Sequence, residues 1–131
     1  MSSILKRLAL AVCVLPVALP VQAYGLQVRV TAYAANPHCT KRIHPYITAS
    51  EHRLRPRDCY RLIALSSDLA KRYRFGDLFR LKINRKVYTV RYQDKMPGSK
   101  HGRVDFLLPS LAKCKRFGIK RATLTLIPKD G

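Results

Sequence analysis

Tyr92-Gln-Asp-Lys-Met-Pro-Gly-Ser-Lys-His-Gly-Arg-Val-Asp-Phe-Leu-Leu108 is the stretch on which both the fold and the chemistry of this chain turn. Residues 87–92 and 103–108 at its two ends are rich in β-branched and aromatic side chains and read as strands. Residues 93–102 between them hold Pro, Gly, Ser and Lys and read as a loop. Asp94 ends the first strand and opens the loop, whereas Asp105 stands inside the second strand. Aspartate is depleted in strands, so Asp105 needs a reason: either it faces outward or is ion-paired, or it does chemistry.

Working outward, Leu26–Tyr33 alternates, with Leu26, Val28 and Val30 on one face and Gln27, Arg29 and Thr31 on the other, which predicts a half-buried strand. Residues 34–60 are polar, contain Pro37, Pro45 and Pro56, and read as a long loop with a short strand near Ile47. Residues 61–66 read as a buried strand. Ser66 or Ser67 then caps a short helix over residues 68–73, with Asp68 well placed in its first turn. Gly76-Asp77 turns the chain into a hairpin of 78–83 and 87–92 joined through Asn84-Arg85. A second short helix follows Pro109-Ser110, with Leu111, Cys114 and Phe117 on one face and Gly118 as an αL cap. Residues 121–127 alternate as a final strand. Six short strands with one or two brief helices describe a mainly β protein, a small closed barrel rather than a βαβ sheet.

The N-terminus reads as an export signal over residues 1–23. Lys6 and Arg7 precede an apolar run of 14 residues, and Val21-Gln22-Ala23 has the form of a cleavage site. The run is shorter than the ~18–20 residues that span a bilayer, and Pro16 and Pro20 oppose a buried helix. The mature domain expected is 24–131, with no transmembrane anchor after cleavage and a periplasmic or extracellular location. The full chain has 26 Lys+Arg against 7 Asp+Glu. Losing Lys6 and Arg7 leaves 24 basic against 7 acidic residues, a net charge of +17. Such a balance speaks about partners rather than fold. Nucleic acid is the usual partner of a basic chain, but export removes it from consideration. Acidic envelope polymers, including the peptide carboxylates of peptidoglycan, lipid phosphates and teichoic acids, take its place, with a merely soluble charged surface as the other reading.

Three cysteines follow the leader. Cys39 and Cys59, both in polar loops, are the expected disulfide pair, and Cys114 is expected as a small buried thiol. His38, His44, His52 and His101 lack the spacing of a metal site or a catalytic triad, and no cofactor is expected. Tyr33, Tyr46 and Tyr92 either stack on sugar rings or pack in the core.

Taken in order, Val30-Thr-Ala-Tyr33, Ile47-Thr-Ala-Ser50, Ile63-Ala-Leu-Ser66, Arg74-Phe-Gly-Asp77, Tyr92-Gln-Asp94, Gly102-Arg-Val-Asp105 and Phe117-Gly118 resemble the three-aspartate (3D) domain. The resemblance covers nearly all of the mature chain. It implies a six-stranded double-psi β-barrel, related to the catalytic domain of membrane-bound lytic transglycosylase A and to rare lipoprotein A-like domains. It also implies action on peptidoglycan, at the bond between N-acetylmuramic acid and N-acetylglucosamine, leaving a 1,6-anhydro ring. Asp105 matches the general acid/base of that chemistry and Asp94 the supporting aspartate. Tyr33, Thr48, Ser66, Lys95 and Arg103 are the residues expected to hold substrate. The chain departs from the pattern at three places. Ser66 stands where the domain's first aspartate would be, Glu51 where a glycine is usual, and Lys95-Met96 follows Asp94. Three functions remain open on these grounds: a lytic transglycosylase-like enzyme, a non-catalytic basic wall-binding domain of the same fold, and an exported basic effector or inhibitor.

Overall fold

The computed structural model describes residues 25–35 and 46–129. The predicted leader, Cys39 and with it the expected Cys39–Cys59 bridge, His38 and His44 lie outside the described residues. No described helix is long and apolar enough to cross a membrane.

Six strands form: β1 Leu26–Tyr33, β2 Leu62–Leu65, β3 Leu78–Ile83, β4 Lys86–Lys95, β5 Arg103–Leu107 and β6 Lys120–Leu126. They close into a double-psi barrel in the order β1-β5-β2-β4-β3-β6. β1 runs parallel to β5, and β2 runs parallel to β4; every other neighbouring pair is antiparallel. The alternation read in the sequence determines what lies inside. Val30, Ile63, Leu65, Phe79, Leu81, Val90, Tyr92, Val104, Phe106 and Leu124 fill the barrel and are essentially inaccessible to solvent. Tyr92 is therefore a packing residue. Closure leaves no strand edge unpaired, so the ladder hydrogen bonds of every strand are met on both sides.

β4 extends three residues beyond the predicted end at Tyr92, because parallel pairing with β2 carries its ladder on to Lys95. Asp94 is thus a strand residue rather than the start of the loop. The first helix, α1 Ser67–Ala70, starts one residue earlier and ends three residues earlier than expected, and the second, α2 Leu111–Phe117, matches its prediction. Ser110 caps α2 by accepting from the Lys113 N–H at 3.2 Å. Gly118 ends α2 with φ 67 and ψ −138, not the αL geometry expected; a positive φ with that ψ suits only a residue lacking Cβ.

Between β1 and β2 the strand expected near Ile47 is a single antiparallel bridge, Ile47 to Arg53. It closes a small hairpin, residues 46–54, that lies against the outside of the barrel. Glu51 sits at its tip with φ 66, a left-handed backbone that is strained for a residue with Cβ and that glycine would adopt freely. A 3-10 turn at Pro56–Asp58 follows. His52 Nε2 lies 3.0 Å from Asp58 Oδ2, tying the hairpin to that turn.

A second, smaller core forms beneath the hairpin from Tyr33, Leu54, Leu62, Ala64, Met96 and Leu107. Tyr33, Leu62, Ala64 and Leu107 alternate along their strands with inward-facing residues, so this core sits on the outer wall. Its other boundary is fixed by Ser66, which is 0% exposed. The Ser66 hydroxyl donates to Asp68 Oδ1 at 2.6 Å and accepts from the Arg103 N–H at 3.0 Å, while the Gly102 N–H donates to Asp68 Oδ2 at 2.9 Å. These bonds pin the start of β5 to the end of β2. The Ser66 hydrogen bond leads the effects that hold the Asp68 carboxyl below its usual 3.8. Ser66→Ala leaves the Arg103 N–H without its acceptor, and equilibrium denaturation should show a loss of about 1–3 kcal/mol. Because the folded Asp68 titrates below 3.8, its contribution is complete above that pH and disappears as pH falls through the lower folded value; the Ser66→Ala deficit should shrink accordingly in acid.

Candidate functional site

Ala64 organises the outer wall. On β2 it is the register partner of Asp105 on the β5 side and of Asp94 on the β4 side. Asp105 is in turn paired with Thr31 of β1. Thr31, Asp105, Ala64 and Asp94 therefore form one row across four strands, with the two aspartates two strand spacings apart, about 10 Å at the backbone. Asp94 belongs to this row only because of a bulge. The β2–β4 register jumps from Ile63–Tyr92 to Ala64–Asp94, skipping Gln93. Simple alternation from the inward Tyr92 would send Asp94 inward as well; the extra residue re-aims it outward, a recurrent use of bulges beside active sites.

Each carboxylate is held differently. Asp94 Oδ1 accepts from the Ala49 N–H and from the Lys95 N–H, both at 2.9 Å. The first bond joins the 46–54 hairpin to the site, helped by Ser50, whose hydroxyl donates to Gln93 Oε1 at 2.7 Å. Asp105 Oδ1 accepts one hydrogen bond, from the Thr31 hydroxyl at 3.0 Å. Its carboxyl is pushed up from 3.8 to about 6, chiefly by burial. The Thr31 bond, Lys100 and Arg103 pull the other way, and Asp94 adds a smaller upward push. Desolvation beside the outer core outweighs the nearby cations, because burial disfavours the charged form directly.

The expected substrate-holding residues fall into two groups. Tyr33, Thr48 and Ser66 are 4%, 2% and 0% exposed. Thr48 Oγ1 accepts from the His52 N–H at 3.1 Å and lies 2.9 Å from Ser50 Oγ, so it shapes the hairpin. Ser66 belongs to the lock described above. The Tyr33 hydroxyl is buried without a hydrogen-bond partner among the described residues. Burial first, then Asp94 and Asp105, push its pKa well above 10, so it remains a neutral donor facing the two aspartates. None of the three side chains has the exposure needed for direct contact with a polymer. Lys95 is exposed and Arg103 half-buried. Lys95 Nζ lies 5.6 Å from the centre of the Phe75 ring, and that ring packs at 4.8 Å on Tyr92. Phe75, 39% exposed, and Tyr46, 50% exposed, are the accessible aromatic faces near the site. Phe75 was missed as a candidate, although Arg74-Phe-Gly-Asp77 was among the motifs quoted for the resemblance. Its signal was an aromatic residue at a turn, with no strand to bury it. Among the described residues no three His, Cys, Asp or Glu side chains gather as metal ligands.

No family model matches the chain, and no curated protein matches it. Solved structures do share its fold. The expansin of Clavibacter michiganensis is similar both in its apo form, at 16% identity and TM-score 0.57, and as an aspartate-to-asparagine mutant in complex with cellohexaose, at 15% and 0.57. Each alignment covers 82% of this chain and 52% of the expansin, so the chain spans about half the expansin's length. A Streptomyces papain inhibitor matches at 13% identity and TM-score 0.57, over 82% of this chain and 98% of the inhibitor. At these identities the likeness is one of fold alone.

A carboxylate forced to ionise in a desolvated site costs stability. The gap between 3.8 and about 6 corresponds to roughly 3 kcal/mol at pH values above 6. The folded value is the higher one, so the fold is favoured by protonation and loses stability as pH rises from 3.8 through 6. Asp105→Asn, which still accepts from Thr31, should therefore raise the melting temperature at pH 7–8. Thermal denaturation at several pH values should show that gain fading toward pH 4.

Proposed function

We propose that this chain is an exported cell-wall protein that cleaves the glycan strands of peptidoglycan by lytic transglycosylase chemistry. The observation that carries the reading is the Asp105 carboxyl, shifted to about 6 yet only part-buried on the outer wall. A general acid that must also serve as base works best when its pKa lies near the working pH. The order of three-aspartate motifs along the chain supports the same chemistry.

In this reaction Asp105 gives its proton to the glycosidic oxygen as the bond to the muramoyl C1 breaks. The resulting carboxylate then takes the proton of the C6 hydroxyl as O6 closes on C1. One proton leaves and one returns, no water is consumed, and the product is a 1,6-anhydromuramoyl end. Asp94, fixed by two backbone N–H donors, places its carboxyl where it stabilises positive charge developing at C1. Tyr33, Thr48 and Ser66 act through what they hold: the aspartate surroundings, the hairpin and the start of β5. Lys95, Phe75 and Arg103 supply the exposed contacts, with Phe75 as a flat apolar face for a sugar ring.

The decisive experiment incubates the mature protein with purified peptidoglycan and identifies released fragments by mass spectrometry. Anhydromuramoyl fragments are expected from the wild type and none from Asp105→Asn. Asp94→Asn should retain the fold and lose on the order of a hundredfold in rate, as for removal of one stabilising group. Activity should fall as pH rises through about 6, where Asp105 gives up its proton. Absence of fragments from the wild type would overturn the enzymatic reading. A second reading, a non-catalytic domain that binds wall polymers, is favoured by the net charge of +19 on the whole chain. It predicts that wild type and Asp105→Asn pellet equally with the wall and release nothing.

A further inference from the structure

Arg29 of β1 is the register partner of Arg103 on β5 and of Arg121 on β6. Three guanidinium side chains thus leave the same outer face in one cross-strand row, at about 5 Å per strand step. Their inward neighbours, Val28, Val30, Val104 and Ala122, are buried, which fixes the outward direction of all three. Like charges directly opposite one another destabilise a sheet. The two ion pairs among the described residues, His52–Asp58 and Lys129–Asp77, do not involve this row. Asp68, which accepts from the Gly102 N–H beside the row, also accepts from Ser66, and Asp105, two residues from Arg103, accepts from Thr31. Arg103 Nε is buried with no hydrogen-bond partner among the described residues. Beside the row a cleft of about 400 Å³ opens between Gln27, Val28, Arg29, His101, Gly102 and Arg121.

The row is continuous with the Asp105 site. Along β1 the outward residues run Arg29, Thr31, Tyr33, and along β5 Arg103, Asp105, Leu107, in matched register. Arg103 therefore lies one outward step, about 7 Å, from the carboxyl that is to act on the glycan, with Arg29 and Arg121 one and two strands further along the row. We propose that the Arg121–Arg29–Arg103 row and its cleft bind a carboxylate on the same polymer whose backbone lies at Asp105: the acid groups of the peptide substituents of peptidoglycan. A planar guanidinium meets a carboxylate with two parallel N–H···O bonds, and the buried Nε of the half-buried Arg103 supplies a donor already removed from water. Anion binding also relieves the repulsion that the unliganded row imposes on the sheet.

The proposal rests on the wall glycan being the ligand, and its test keeps binding apart from cleavage. All measurements use the full mature chain carrying Asp105→Asn, so catalytic activity does not enter. Binding to purified peptidoglycan is compared with binding to the same material after its carboxyls have been converted to neutral amides. Arg29→Gln/Arg121→Gln is compared with Arg85→Gln/Lys86→Gln, which removes the same charge at the far β3–β4 turn. The expected result is a loss of roughly tenfold or more from Arg29→Gln/Arg121→Gln on native wall, and a similar loss from amidation. Little further loss is expected from combining them, and little from the control pair. The Arg29→Gln/Arg121→Gln protein should melt no lower than its parent, since the change removes repulsion. Equal losses from the two arginine and control pairs would overturn the site in favour of bulk charge. A loss from Arg29→Gln/Arg121→Gln with no effect of amidation would overturn the carboxylate assignment.

Discussion

Ala64 stands between Asp105 and Asp94 because β2 pairs antiparallel with β5 on one side and parallel with β4 on the other. In this barrel that double pairing comes from two interlocked parallel strand pairs, and the site depends on it throughout. A larger side chain at this position would fill the space between the carboxylates. A simple ladder without the bulge would turn Asp94 into the barrel. The hairpin over residues 46–54 takes its position from the same feature, since Ala49 bonds to the re-aimed Asp94.

Desolvation then decides the electrostatics. The chain carries far more positive than negative charge, and from charge alone every carboxylate should be held ionised. Asp105 departs from that because its immediate surroundings are the outer core rather than the cationic surface. Lys95, its nearest rival by sequence to Asp94, is turned toward the Phe75 face. The result is two aspartates with separate electrostatic lives within a short span: one fixed by backbone donors, the other raised into the working range of an acid.

Much of this could be read from residue order. The alternation of Val28, Val30, Val104 and Phe106 placed the barrel interior, and the anomaly of an aspartate inside such a strand pointed to Asp105. What escaped were effects of register. The sequence around Gln93 carries no mark of a bulge, because a bulge is a property of two strands and is visible only once β2 and β4 are paired. Thr48 and Ser66 were expected to hold substrate, yet a hydroxyl is equally at home buried when a backbone N–H or a carboxylate is there to meet it. Phe75 was overlooked for the converse reason: an aromatic ring is assumed to be core until the fold leaves it at a rim. The arginine row was invisible for the same cause as the bulge, its members being 29, 103 and 121 in the chain.

The closed order of strands has a consequence for how the molecule comes into being. Thr31 and Asp105 are 74 positions apart in the chain, and β1 is flanked by β5 and β6, the last two strands to be made. Contacts of such separation carry a large loop-closure entropy and form late and together. The row of Thr31, Asp105, Ala64 and Asp94 spans β1, β5, β2 and β4, so it cannot exist until β5 has been made and paired with both β1 and β2. A chain whose β5 is still unpaired therefore holds the two aspartates apart by topology, however well its earlier strands have paired.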